Sequence, residues 1–205
     1  MRSSTIRIDL PVPPMAANQA AIDPAMPDRR TTGYSLASRS FHWLIALLVL
    51  SAFILSVGGP KTRVFADANN GLLTLHESLG VAVFATTLLR LAHRLWARSP
   101  DPVPMPIWMH QAALIVRLTL YFLLLFLPLS AIVGSWVEGR SLSFYLVGSI
   151  ASPWPTSQAL GQSLLSAHKL AGDAIMWLAG VHAAAALFHH FVLKDKVLRS
   201  MLVSS

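Results

Sequence analysis

The 205-residue chain contains no cysteine. This absence excludes disulfide bonds, iron–sulfur clusters held by thiolates and covalently attached c-type haem. The sequence also has no G-x-G-x-x-G or Walker pattern, so nothing in it indicates a dinucleotide or nucleotide site. Any chemistry of this chain must therefore use other side chains.

Charged residues are scarce as well. They make up 12% of the chain, about half the fraction of a typical soluble domain. Three uncharged windows reach the ~20 residues that a membrane-spanning helix needs: Ser40 to Pro60, Leu118 to Val137 and Ala174 to Leu193. A fourth apolar stretch runs from Leu72 to Trp96 if its polar ends are allowed. The sequence thus predicts an all-α integral membrane protein, a four-helix bundle.

The net charge of +7 does not indicate a nucleic-acid partner, because the basic residues sit at the ends of the apolar spans and not on one soluble face. Twelve of the 16 Lys and Arg flank the N-terminal side of the first span, the link between the second and third spans, and the end of the fourth. The other four are Lys61, Arg63, Arg140 and Lys169. The positive-inside rule then predicts that both termini are cytoplasmic.

Turn and breaker residues divide the chain further. Residues 1–33 are polar, with five prolines and no apolar period, and are predicted to be a disordered cytoplasmic tail. Residues 34–205 are predicted to form the transmembrane domain, with helices at about 35–58, 72–96, 108–137 and 163–193. The loop between the last two helices is rich in aromatic residues and is expected to lie along the membrane surface.

The most informative feature is the placement of four of the eight histidines within the spans. An ionisable side chain inside a membrane is costly and by default indicates function. His168 and His182 are 14 residues apart, which puts them about 40° apart around one helix and about 21 Å apart along it. One helix face therefore carries two imidazoles at two depths, an arrangement suited to two stacked cofactors.

The direction of each helix assigns a partner to each of these imidazoles. His76 lies near the outer start of the second helix, at the depth of His168. His42 lies near the inner start of the first helix, at the depth of His182. The third helix offers no buried histidine and is expected to act only in packing. His189, two turns beyond His182 and roughly in phase with it, is the rival for the inner position.

Two imidazoles on opposite faces of a flat ring are the axial ligands that haem b takes in membrane bundles. Gly80 follows His76 by four residues and Gly172 follows His168 by four, so both lie on the ligand face one turn deeper and leave room for a ring. Glycines are also ordinary packing devices in membrane helices. Arg90, 14 residues after His76, faces the inner level, where it either pairs with a haem propionate or reaches the lipid headgroups.

Several short segments resemble the bacterial dihaem cytochrome b561 family, including its superoxide oxidase type. They are Phe41-His42-Trp43-Leu44, Leu75-His76-Glu77-Ser78-Leu79-Gly80, Ala167-His168-Lys169, Gly180-Val181-His182-Ala183-Ala184-Ala185-Ala186-Leu187-Phe188-His189-His190 and the stretch from Lys194 to Met201. The resemblance covers residue 34 to the end. It implies two haems b in a bacterial inner (plasma) membrane, with His42 and His182 on the inner iron and His76 and His168 on the outer iron.

The resemblance also implies an activity: superoxide gives electrons at the outer side, and ubiquinone is reduced. Lys169 and Arg140 are candidates for steering the anion, although ordinary loop chemistry of a few scattered charges is the simpler explanation. An alternative is a cytochrome b electron-transfer subunit of a membrane dehydrogenase or hydrogenase, with a protein partner. A transition-metal transporter is a third possibility, but imidazoles about 21 Å apart cannot share one mononuclear site. The sequence does not locate the quinone; Trp43, Trp136 and Trp177 are candidates by position only.

Overall fold

Four long helices form the body of the protein in a computed structural model that describes residues 33–56, 71–97 and 104–202. Each is long and apolar enough to cross a membrane. The helices are α1 Leu36–Ser56, α2 Gly71–Trp96, α3 Ile107–Glu138 and α4 Gln158–Phe188. The prediction of four transmembrane helices in an all-α bundle is confirmed. The tail before residue 33 and the predicted end of α1 at 58 lie outside the described residues.

The helices run antiparallel, which gives the bundle two distinct ends. At the termini end α1 and α3 begin and α2 and α4 finish, and Tyr34 N–H there donates a hydrogen bond to Ser200 O (3.4 Å). At the hairpin end α2 and α4 begin. Within the described residues, extensive packing joins α1 to α2, α2 to α3 and α3 to α4. Because α4 does not pack extensively against α1 or α2, an interhelical space separates them.

The tightest packing lies between α3 and α4, where small residues let the two backbones approach. Leu123, Ala171 and Ile175 form a buried apolar cluster. A Cβ on Gly161 would stand 2.6 Å from Glu138 N, and one on Gly134 would stand 3.1 Å from the side chains of two leucines on α4. This close contact fixes α4 against α3 alone and leaves its opposite face for the interhelical space.

The helix α4 begins at Gln158, five residues before the predicted start at 163, so that boundary is corrected. The residue before it, Ser157, is extended (φ −142°) and its N–H donates to Val137 O (2.7 Å). The prediction was wrong because it relied on where the apolar window begins. The polar first turns are helical because they pack on the end of α3, which the hydrophobic pattern does not report.

A small β-hairpin, which the sequence did not predict, follows α3. Strands β1 Leu142–Phe144 and β2 Gly148–Ile150 pair antiparallel, with Phe144 opposite Gly148. The three loop residues are followed by Gly148 at φ 83°, a left-handed conformation that glycine adopts without strain. Leu142 is buried, so the base of the hairpin is packed into the bundle.

The chain after α4 folds back onto the start of α1. A π-helical turn, His189–Leu193, ends at Lys194 with φ 53°. Asp195 then accepts a hydrogen bond from the N–H of Val197 (2.9 Å), and a short helix α5, Arg199–Leu202, follows. The indole N–H of Trp43 donates to Met201 O (3.2 Å), which ties this C-terminal segment to α1.

The glycine contacts generate a stability prediction. Gly161→Ala should lower the free energy of unfolding by about 1–3 kcal/mol, because the added methyl overlaps the backbone of Glu138. Gly180→Ala is the matched control on the same helix, where a Cβ meets nothing within 4 Å. Thermal unfolding of the purified protein in detergent measures both. A Gly161→Ala variant at least as stable as Gly180→Ala would contradict the packing argument.

Candidate functional site

The first pair of histidines lies toward the termini end. The ring centres of His42 on α1 and His182 on α4 are 6.3 Å apart, and the ring planes are nearly perpendicular at 81°. His182 is exposed, because α4 does not close against α1 at this level. The two imidazoles face each other across the interhelical space, as the depth of each in its helix predicts.

The second pair lies toward the hairpin end and repeats this geometry. The ring centres of His76 on α2 and His168 on α4 are 6.2 Å apart, with the planes at 83°. Both residues are partly buried. The structure therefore brings the four histidines together in two pairs, each with one ring from α4 and one from the α1–α2 side.

The separation within each pair matches two ligands on one metal ion. A bond of about 2.0 Å from each ring nitrogen to a shared ion, plus the half-width of each ring, puts the centres of opposed imidazoles about 6.4 Å apart. The measured values are 6.2 and 6.3 Å. Two rings in direct hydrogen-bonding contact would be closer than this, so the spacing of the ring centres is compatible with an ion held between the two rings.

Backbone carbonyls fix the orientation of the hairpin-end pair. His76 Nδ1 lies 2.9 Å from Ala52 O on α1, and His168 Nδ1 lies 2.8 Å from Leu127 O on α3. A carbonyl only accepts hydrogen bonds, so each ring carries its proton on Nδ1 and presents the lone pair of Nε2. This is the way in which metal-binding imidazoles are generally held.

The pair at the termini end is held differently. The guanidinium of Arg90 donates through Nη1 to Nδ1 of His42 (3.0 Å) and lies 5.9 Å from the ring centre of Tyr121. Arg90 therefore reaches the inner level, as its spacing from His76 indicates. In His76 and His168, Nδ1 carries the proton, but in His42 Nδ1 accepts the hydrogen bond from Arg90 and the proton lies on Nε2. The Nε2 atom of His42 therefore has a free lone pair only when Arg90 turns to another acceptor.

Open space surrounds the glycines that follow the ligand candidates. A Cβ built on Gly80 or on Gly172 would meet no heavy atom within 4 Å. Gly134 and Gly161, by contrast, are packing glycines in close contact. The first two thus border an empty region beside the His76–His168 pair, which a flat ring could fill.

The remaining histidines have other surroundings. His189, the rival to His182, lies 2.5 Å through Nδ1 from the carboxylate of Asp195 in the π-helical turn. His93 lies beside Phe41, with ring centres 5.9 Å apart, and His110 is exposed. Of the histidines in the described segments, His182 and not His189 faces His42.

A polar cleft of about 330 Å³ opens at the hairpin end, on the α3–α4 side, between Glu138, Arg140, Gln162, Leu165, Ser166 and Lys169. Arg140 forms an ion pair with Glu138 (2.8 Å) and its Nη2 donates to Ser135 Oγ (3.3 Å). The two candidate steering residues therefore line one cleft, and one of them is largely neutralised. Lys61 and Arg63 lie outside the described residues.

Some groups at the site have no clear signal in the sequence. The backbone carbonyls of Ala52 and Leu127 cannot be recognised from residue types. Because Leu127 lies on α3, that helix orients His168 in addition to packing against α4. Ser130, which is buried, donates to Leu127 O (2.9 Å) and lies 3.5 Å from His168 Nδ1. A serine in an apolar span was the only indication of its role in the sequence.

The donor set does not form a multi-histidine metal cage. No group of three or more His, Cys, Asp or Glu side chains gathers around a common point in the part of the chain that the structure describes. Two opposed imidazoles leave the four equatorial positions of an ion to a planar macrocycle, which is the coordination of a membrane haem.

Four spanning helices with opposed imidazoles between them define the class of membrane cytochromes b. Residues 33–203 match the sequence profile of prokaryotic cytochrome b561. The chain belongs to the prokaryotic cytochrome b561 family, which implies that it binds haem b and transfers electrons as a multi-pass bacterial membrane protein.

Individual relatives agree with this assignment. The chain is 30% identical to the probable superoxide oxidase CybB of Yersinia pestis, over 82% of this chain and 95% of that protein. It is 33% identical to cytochrome b561 homolog 1 of Escherichia coli, over 78% and 92%. It is 31% identical to cytochrome b562 of Cereibacter sphaeroides, over 83% and 95%.

The open space beside the glycines generates a prediction about haem content. Gly80→Leu and Gly172→Leu should each lower the haem bound per chain, because the new side chain occupies the region beside the His76–His168 pair. Gly180→Leu is the control and should keep its haem. A Cβ at Gly180 also meets nothing within 4 Å, but Gly180 does not lie one turn after a ligand candidate. Pyridine haemochrome assays normalised to protein measure the ratio. Equal haem loss in all three variants would show that the glycines do not mark a haem pocket.

Proposed function

We propose that the chain is a dihaem cytochrome b that transfers electrons from superoxide to ubiquinone. The observation that carries the proposal is the presence of two imidazole pairs with ring centres 6.3 and 6.2 Å apart. His42 and His182 would hold one haem, and His76 and His168 the other. The two levels are about 21 Å apart along α4, so the pair nearer the hairpin end and the pair nearer the termini serve opposite faces of the membrane.

Haem b supplies a one-electron store at each pair of imidazoles. The residues of this chain provide the rest of each site. Ala52 O and Leu127 O fix the rings of His76 and His168, Gly80 and Gly172 leave space for the macrocycle, and Arg90 is placed to bind a propionate once it turns from His42. That turn would return the proton to Nδ1 of His42 and free Nε2 for the iron.

The reaction balances with two donors for each acceptor. Two superoxide anions give up one electron each and leave as dioxygen. Ubiquinone accepts both electrons with two protons and leaves as ubiquinol. The charge distribution supports an orientation with both termini in the cytoplasm of the bacterial inner membrane, so that superoxide arrives at the hairpin end, outside.

The polar cleft supports entry of a small anion at the hairpin end. Its lining includes Lys169, which directly follows His168, and Arg140, against a single carboxylate of Glu138. The lining thus has a net positive charge of one, which favours an anion modestly because Arg140 is already paired. The relative from Yersinia pestis, named as a probable superoxide oxidase, supports the choice of donor.

Haem quantitation with histidine variants tests the two-centre arrangement. The purified protein should contain two haems b per chain, with the bands of low-spin haem in a reduced-minus-oxidised difference spectrum. His42→Ala and His182→Ala should each lose one haem and retain the same second one. His76→Ala and His168→Ala should lose the other, because a single axial imidazole holds haem weakly.

His110→Ala and His189→Ala are the controls for these variants, and both should keep two haems. His110 is exposed, and His189 contacts Asp195 in the π-helical turn. Loss of a haem in His189→Ala but not in His182→Ala would overturn the pairing. A protein without haem would overturn the proposed function as a whole.

Stopped-flow mixing with superoxide in the presence of a soluble ubiquinone tests the donor. Lys169→Gln should lower the second-order rate constant about two- to fivefold at low ionic strength, because it removes one positive charge from the cleft. The difference from wild type should shrink as salt is added, because salt screens the interaction.

Glu138→Gln is the matched control in the same cleft. It removes the opposing negative charge, so it should raise the rate at low salt. A rate that is independent of salt and unchanged in both variants would contradict steering by this cleft. If superoxide does not reduce the haems at all, the donor is instead a protein, as in a dehydrogenase-associated cytochrome b.

A further inference from the structure

The edge of the hairpin lies against the turn of α2 that carries His76. One edge of β1 pairs with β2, and its other edge faces α2. Backbone N–H groups two residues apart point to the same edge of a strand, and here those of Ser143 and Tyr145 both reach α2. Glu77 Oε2 accepts from Ser143 N–H (2.7 Å), and Ser78 Oγ accepts from Tyr145 N–H (3.2 Å).

A third bond ties the hairpin to the first turn of the same helix. The hydroxyl of Tyr145 donates to Gly71 O (3.0 Å). Ser143 N–H, on the edge of β1 that does not pair with β2 and would otherwise be open to water or to another strand, is thereby satisfied by α2. Of the three acceptors only Glu77 carries a charge, and hydrogen bonds to charged groups are the stronger ones.

These contacts flank one of the candidate ligands on both sides. His76 is held through Nδ1 by Ala52 O on α1 (2.9 Å), and the next two residues are held by Ser143 of β1 and by Tyr145 of the hairpin loop. The polar cleft lies on the α3–α4 side of the same end, beside Lys169. The hairpin is therefore fastened to the turn of α2 that carries His76, whereas the cleft lies on the other side of the same end.

We infer that Glu77 is a positioning residue for this pair. Its carboxylate fastens the hairpin to the turn that carries His76, which limits the access of water to the α2 side of the pair. The inference rests on the proposed haem at His76 and His168. Through the hairpin, Glu77 would then help to set the reduction potential of that haem, because solvent exposure favours the more highly charged ferric form.

A pair of variants separates the hydrogen bond from the charge. Glu77→Ala and Glu77→Gln both remove the negative charge, but the amide oxygen of glutamine still accepts from Ser143 N–H. The amide hydrogen of Ser143 should exchange about tenfold faster in Glu77→Ala than in Glu77→Gln, because only alanine leaves the donor without its acceptor. Hydrogen exchange followed by mass spectrometry on the purified holoprotein measures this.

The matching redox titration reports on the haem. The potential of the His76–His168 centre should be lower in Glu77→Ala than in Glu77→Gln, and the potential of the His42–His182 centre should be equal in the two. The single-haem histidine variants assign the two signals. The inference would be overturned if the His76–His168 centre had the same potential in Glu77→Ala and Glu77→Gln. It would also be overturned if the potentials of both centres differed equally between these variants, even if exchange at Ser143 accelerates.

A third variant covers the case in which Glu77→Ala does not retain haem. Ser143→Pro removes the donor from the other side of the bond and leaves α2 and its charge intact, and proline is tolerated on a strand edge that does not pair. It should lower the potential of the His76–His168 centre relative to wild type. An unchanged potential would overturn the role of Glu77, whereas a wild-type protein with no haem at this pair would instead overturn the proposed function.

Discussion

Everything distinctive in this molecule depends on the distance between imidazoles on facing helices. Packed helices normally close until their side chains touch, yet α4 is held apart from α1 and α2, and the rings that cross the space stop at 6.2 and 6.3 Å. The close packing of α4 on α3, which Gly134 and Gly161 permit, sets the position of α4 and therefore the distance between the rings. Gly134 and Gly161 thus bring two helices together, whereas Gly80 and Gly172 leave open space beside the His76–His168 pair.

The two imidazole pairs are not equivalent, and the difference lies in what holds the outer nitrogen of each ring. In the pair near the hairpin end, backbone carbonyls of α1 and α3 hold both rings. These acceptors cannot rotate away, so that pair is preorganised. In the other pair His42 faces the flexible and cationic side chain of Arg90. A positive charge beside a redox centre favours its reduced form, so with the proposed haem at each pair this difference would separate two otherwise similar reduction potentials.

Much of this arrangement follows from the sequence because helical geometry is periodic. The spacing of His168 and His182 fixes their common face, and the direction of each span fixes which partner lies at which depth. The backbone carbonyls of Ala52 and Leu127 were not predictable, because every residue has one and only the tertiary contact selects it. The early start of α4 and the β-hairpin were missed for a related reason: both depend on packing against the ends of α3 and α2, and neither produces an apolar period.

The residues that directly follow the α1 and α2 imidazoles show how the ends of the bundle are closed. Trp43, after His42, donates its indole N–H to Met201 O, and Glu77, after His76, accepts from Ser143 N–H. A segment from elsewhere in the chain is thus fastened beside each pair, the C-terminal segment at one end and the hairpin at the other. Both fasteners are neighbours of a ligand candidate along the chain, so each cover is attached at the helical turn that carries that imidazole. Each cover is therefore fastened through a residue next to a ligand candidate, by Trp43 at one end and by Glu77 at the other, and α4, which carries the other ring of each pair, takes no part in these two bonds.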